Sequence, residues 1–181
     1  MFNQGRSCNF AAMDSTLVFI SLGSNLGDRL MFLKMARERI NSTCGSLLKV
    51  SSIFETEPWG FESQSAFYNQ VVMISTSIDP ISLLNTLLKI EFDLGRVRAG
   101  VGGYQSRTID LDILYYGSLI ADEQQIIVPH PRLHLRKFVL EPLCEIAPTY
   151  LHPVLKLTNE EMLKMLDDTS SVRILKNSAN D

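Results

Sequence analysis

Asp110 and Asp112 stand two residues apart in the segment TIDLDILYYG, residues 108–117. Ile109, Leu111 and Ile113 alternate with them. That is the period of a strand, so both carboxylates project from one face. Two acids held so close repel each other unless a proton or a cation stands between them. Hard oxygen ligands at this separation suit Mg²⁺, which takes one or two protein carboxylates and fills its remaining positions with phosphate oxygens and water. Paired acids alone could equally be the solvated face of an edge strand, so the neighbours decide. Every Lys or Arg between 96 and 136 is arginine: Arg96, Arg98, Arg107, Arg132 and Arg136. The guanidinium fork grips phosphate at two oxygens at once. Arg107 sits three residues before Asp110, and His130 and Arg136 follow the next short apolar stretch. Acids for a metal beside a ring of arginines are what a polyphosphate substrate requires.

A second group of residues suggests a different ligand. Trp59, Phe67 and Phe138 are aromatics outside strong core periodicity, and Asn69 opens a strand-like run. An Asn side chain offers both donors and an acceptor to the edge of a flat heterocycle, while aromatics stack on its faces. Ordinary core packing is the plainer alternative for Phe138 and Trp59. His130 and His134 have the spacing of a metal pair, but Pro131 starts any helix after His130 and no third ligand accompanies them. The glycines of SLGSNLGDR (21–29) lack the Lys of a phosphate loop and read as a tight strand-to-helix turn.

These residues need elements to hold them. STLVFISLG (15–23) is a buried strand, and a helix capped by Asp28 follows through residue 41. Residues 46–55 and 68–78 alternate as strands. Asp79-Pro80 caps and opens a helix that stops at Gly95, and 108–117 is the strongest strand. The order β-α-β-β-α-β predicts an α+β, ferredoxin-like core, an antiparallel sheet with helices on one face. A short strand (126–128), a helix near 132–145 and a helix at 159–167 complete it, the last opened by a Thr158/Glu161 capping box. Residues 1–14 read as a disordered leader, 15–170 as a single domain and 171–181 as a C-terminal tail. Two connections, 56–67 and 95–106, are long enough to be binding loops or lids. Gly100, Gly102 and Gly103 predict that the second is mobile and closes over its ligand.

Composition bounds the partners. The 181 residues carry a net charge of −3, against nucleic-acid binding. No window approaches a membrane span, and the first fourteen residues hold no apolar run long enough for a signal peptide. Cys8, Cys44 and Cys144 are scattered and form no CxxC pair, which points to a reducing, cytoplasmic setting.

SLGSNLGDR, SSIFETEPWG, FYNQVV, IEFDLGRVR, RTIDLDILYYG and VPHPRLHLRKFVLEPLCEIAP occur in this order. Together they resemble the 6-hydroxymethyl-7,8-dihydropterin pyrophosphokinases of folate biosynthesis, over about residues 16–167. The resemblance implies transfer of the β,γ-pyrophosphoryl group of ATP to the pterin hydroxymethyl oxygen, with release of AMP. It implies two Mg²⁺ ions on Asp110 and Asp112, and Arg96 and Arg107 on the phosphates. Ile90, Glu91, His130 and Arg136 complete the ATP site it implies, and Thr56, Trp59, Phe67, Asn69 and Phe138 the pterin site. A monomer, and a length that fits this domain without a fused synthase or aldolase, are further expectations. Where many members carry Trp-Gly-Pro before the arginine of the acidic motif, this chain has Tyr104-Gln105-Ser106. The expected mechanism is in-line attack at the β-phosphorus, driven by positioning and electrostatics, and no side chain stands out as general base. Rival readings are a non-catalytic ligand-binding module, which ferredoxin-like folds also host, and a nucleotidyltransferase that releases pyrophosphate.

Overall fold

Thr16–Ser24 (β1) is the apolar run expected as a buried strand, and it lies inside a six-stranded sheet. The computed structural model describes residues 15–56, 66–97 and 106–175. Expectations placed on 1–14, Trp59, Tyr104 and Gly100–Gly103 lie outside them, as do residues 176–181. β1 pairs antiparallel with Phe67–Thr76 (β4) on one side and Asp110–Tyr116 (β5) on the other. Beyond β4 lie Ser46–Val50 (β2) and Phe54–Thr56 (β3). The order β5-β1-β4-β3 with every pair antiparallel is the ferredoxin-like arrangement.

The single strand expected over 46–55 is two strands. Pairing with β4 slips by one residue between Leu47 and Lys49, and once more before Phe54. At the break Ser51 replaces ladder geometry with its side chain. Its Oγ accepts the Val71 N–H at 3.0 Å while its own N–H donates to the Val71 carbonyl at 2.9 Å. Bulges of this kind bend a strand, and here the bend lays β3 beside the end of β4 that carries Phe67 and Asn69.

Arg29–Thr43 (α1) begins where Asp28 accepts the Met31 N–H, and Pro80–Asp93 (α2) where Asp79 accepts those of Ile81 and Ser82. Leu33, Ala36 and Ile40 of α1 join Leu83, Leu87 and Ile90 of α2 against Val18, Ile20, Leu22, Val72 and Ile74. The other face is also covered. The helix expected near 132–145 divides into a 3₁₀ turn, Leu133–Leu135, and Lys137–Ile146 (α3), with Arg136 extended between them. Asn159–Met165 (α4) follows, with the Thr158/Glu161 capping box formed in both directions. Val139, Leu140, Leu143 and Met162 pack there on Phe19, Val71, Leu114 and Tyr115. A shift in the β1–β5 register at Phe19/Ile20 lets the successive residues Leu114 and Tyr115 both face this side.

Ala121–Asp122 (β6) and Ile127–Val128 (β7) form a small separate ladder. Val172–Ile174 (β8), read from the sequence as part of a tail, pairs with β3 as a strand. No helix among the described residues is long and apolar enough to cross a membrane.

Candidate active site

Register places the acids. Gly23 of β1 pairs with Asp110 and with Asn69, and Ser21 pairs with Asp112 and with Val71. All six residues therefore lie on the α3 face of the sheet. Here, beside the first turn of α3, lies a cleft of ≈ 220 Å³, floored by Ser21 and Gly23. A side chain at Gly23 would put its Cβ 3.2 Å from the Asn69 Oδ1, so the glycine keeps the floor low.

One wall is charged. Arg96 binds both Glu91 and Asp110 through one guanidinium nitrogen. Arg107 approaches the other Asp110 oxygen at 3.3 Å. Arg136 and His130 stand 3.8 Å from the Asp112 carboxylate. The ring of His130 accepts the Arg132 N–H on Nδ1 at 3.1 Å. Burial, reinforced by the charges of Arg136 and Arg132, lowers the His130 pKa to about 4. The neutral ring therefore carries its proton on Nε2, the atom nearest Asp112. Enclosure in the cleft, and then the charge of Asp110, push the Asp112 carboxyl up to about 6, although 42% of its side chain still meets the opening.

The donor set fits a hard divalent cation. Two carboxylates on one face leave most of a Mg²⁺ coordination shell for substrate oxygens and water. Among the described residues no group of three His, Cys, Asp or Glu could enclose a metal, so this is not an all-protein cage.

The opposite wall is aromatic and amide. Phe67 and Phe138 line it with Asn69 and Thr56. Asn69 donates from Nδ2 to the Thr56 Oγ1 at 2.7 Å, which settles its orientation and leaves its Oδ1 above Gly23. An arginine of the charged wall backs each ring. Arg107 stands 5.6 Å from the Phe67 centroid, and Arg136 5.6 Å from that of Phe138.

The structure thus gathers ten of the expected site residues into one cleft: Arg96, Arg107, Asp110, Asp112, His130, Arg136, Thr56, Phe67, Asn69 and Phe138. Two others take different places. Ile90 lies in the core under the sheet. Glu91 is 2% exposed and does not line the cleft; its carboxylate accepts the Leu111 N–H at 2.8 Å and holds Arg96 from behind. Ser21 and Gly23 also line the cleft without having been singled out as site residues, and so does Arg132, which the sequence marked only as one of five arginines. For the first two the signal was present, as small residues at every second position of an otherwise apolar strand.

Fold and site together define a class: a ferredoxin-like domain with a cleft that is acidic and arginine-walled on one side and aromatic and amide on the other. The chain belongs to the 7,8-dihydro-6-hydroxymethylpterin-pyrophosphokinase family, whose model matches residues 19–148. It is 42% identical over 139 residues to the 2-amino-4-hydroxy-6-hydroxymethyldihydropteridine pyrophosphokinase of Porphyromonas gingivalis, covering 76% of this chain and 94% of that one. It is 44% identical over 147 residues to the folic acid synthesis protein fol1 of Pneumocystis carinii, 81% of this chain. The chain spans only 20% of that relative and 24% of the folic acid synthesis protein FOL1 of Dictyostelium discoideum. The crystal structure of wild-type Plasmodium falciparum HPPK-DHPS shares the fold, with a TM-score of 0.67 at 16% identity over 83% of this chain and 44% of that one.

Proposed function

We propose that this chain transfers the β,γ-pyrophosphoryl group of ATP to the hydroxymethyl oxygen of 6-hydroxymethyl-7,8-dihydropterin. The oxygen attacks the β-phosphorus, the bond to the α,β-bridging oxygen breaks, AMP leaves with that oxygen, and the hydroxyl proton passes to solvent water. The observation that carries this reading is the two-walled cleft, with acids and arginines facing aromatic and amide side chains across Gly23.

Each wall has a task. Asp110 and Asp112 would hold Mg²⁺, in this reading two ions, which when bound neutralise charge on the phosphates. Arg96, Arg107 and Arg136 place guanidinium groups around the transferred group, where charge redistributes in the transition state. Neutral His130 presents an N–H donor to the same region. Phe67 and Phe138 sandwich the pterin while Asn69 and Thr56 read its edge, which fixes the hydroxymethyl group toward the phosphates. Trp59 adds to this pocket by resemblance. The reaction takes place in the cytoplasm, on a monomer. Holding both reactants in line supplies a large part of the acceleration, since effective molarities reach about 10⁵–10⁸ M.

Product analysis tests the reading. With ATP, Mg²⁺ and the hydroxymethyl dihydropterin, AMP and a pterin diphosphate are expected in equal amounts. Release of pyrophosphate indicates a nucleotidyltransferase instead, and no turnover with tight ligand binding indicates a binding module.

A further inference from the structure

The turn SNLGDR (24–29) between β1 and α1 has no phosphate-loop chemistry and does not itself line the cleft. Its contacts nevertheless reach both walls. Asn25 is 2% exposed. Its Oδ1 accepts the Arg107 N–H at 2.7 Å, its backbone N–H donates to the Arg107 carbonyl at 3.2 Å, and its Nδ2 donates to the Ser106 Oγ at 3.0 Å. The backbone of the arginine that faces Asp110 is thus held on both its N–H and its carbonyl by one residue. Four positions on, Arg29 turns to the other wall. Its guanidinium donates to the Ala66 carbonyl at 2.8 Å and to the Tyr68 hydroxyl at 3.1 Å, and stacks 3.7 Å from the Tyr68 ring centroid. Ala66 and Tyr68 flank Phe67, and Tyr68 separates Phe67 from Asn69. Alternation sends Tyr68 to the α1 side and Phe67 and Asn69 to the cleft.

We propose that the β1–α1 turn is the positioning element for both half-sites, Asn25 setting Arg107 on the phosphate side and Arg29 setting Phe67 and Asn69 on the heterocycle side. Asn25 and Arg29 touch no reactant; they act through the residues they hold. Because both belong to one short turn, the separation between the walls is set there. This inference rests on the functional reading above and deepens it.

Its signature is a separable pair of defects. Asn25→Ala is expected to lower kcat about 10- to 100-fold, the scale of a misplaced reacting group, with pterin affinity unchanged. Arg29→Ala is expected to weaken pterin binding about tenfold, the loss expected for charge-assisted hydrogen bonds, with nucleotide affinity unchanged. Pterin fluorescence titration and a fluorescent ATP analogue read the two affinities independently of turnover. Two milder variants act from outside the turn, in case Asn25→Ala fails to fold. Ser106→Ala removes one bond from the Arg107 clamp and Tyr68→Phe one from the β4 clamp; each is expected to show a smaller defect of the same kind. Arg29→Lys, which keeps the charge but not the fork, is expected to recover only part of the pterin affinity. A wild-type protein that forms no AMP overturns the functional reading and this inference with it. Turnover by the unsubstituted protein, with the five substitutions lowering kcat and both affinities alike or changing none of the three, overturns the inference alone.

Discussion

Replacing Glu91 separates two roles for that residue, contact with the nucleotide and support of the catalytic wall. Its carboxylate is 2% exposed, accepts the Leu111 N–H at 2.8 Å and binds Arg96. Leu111 lies between the two acids, so α2 is pinned to β5 at the residue that separates them. Glu91→Ala deprives a buried N–H of this acceptor, a loss of about 1–3 kcal/mol. It also removes one partner from a buried ion pair, which costs about 3–5 kcal/mol when the other is stranded. Arg96 retains Asp110 and is not stranded, so the two losses do not add and the expected net loss is about 3 kcal/mol, where the two ranges meet. At about 2–4 °C per kcal/mol for a domain of this size, Tm falls by about 6–12 °C. Glu91→Gln keeps an oxygen for Leu111 and is expected to lose about half as much. Urea unfolding with an unchanged m-value, together with turnover and ATP titration, reads the effect. Stability of Glu91→Ala within about 0.5 kcal/mol of wild type, with a selective loss of ATP affinity, refutes the supporting role and restores direct contact with the nucleotide.

Four other substitutions address the cleft itself. Asp110→Asn and Asp112→Asn are each expected to abolish turnover while the fold persists; Asp112→Asn melts no lower than wild type in metal-free buffer, because it removes one of two crowded charges. Wild-type rates in either end the acidic pair's role. Arg107→Ala is expected to lower kcat by a larger factor than it weakens ATP, because its partner charge develops in the transition state; an unchanged kcat removes it from that role. Gly23→Ala drives a methyl to 3.2 Å from the Asn69 Oδ1, and pterin affinity is expected to fall about three- to tenfold, the scale of a strained or weakened hydrogen bond, with nucleotide affinity retained. Equal pterin affinity in that variant contradicts the place given to Asn69.

Local patterning carried the elements and much of the charged wall. Alternation around Asp110 and Asp112, the caps at Asp28, Asp79 and Thr158, and the apolar run of β1 are properties of a few adjacent residues, and each took its expected form. The aromatic side was legible only as one of two readings, because Phe67 and Phe138 have no local mark that separates a ring sandwich from core. Failures came where a distant partner decides. Ser51 breaks the expected long strand by bonding Val71, twenty residues away. Residues 172–174 become a strand only because β3 has an edge to pair with. Asn25 and Arg107 are 82 residues apart, so nothing near either announces the clamp. Glu91 entered as a nucleotide contact only through resemblance. Its burial behind Arg96 depends on where α2 packs against β5, which periodicity in α2 does not state.

The central claim is that one cleft moves two phosphates together from ATP to the ring-bound hydroxyl. Parallel reactions with ATP labelled at the α- or the γ-phosphorus test it most directly, with products separated by chromatography. The account predicts that all α-label appears in AMP and all γ-label in a pterin diphosphate, with none in free phosphate or pyrophosphate. Label from the α-phosphorus in the pterin product, or γ-label in pyrophosphate, would contradict it.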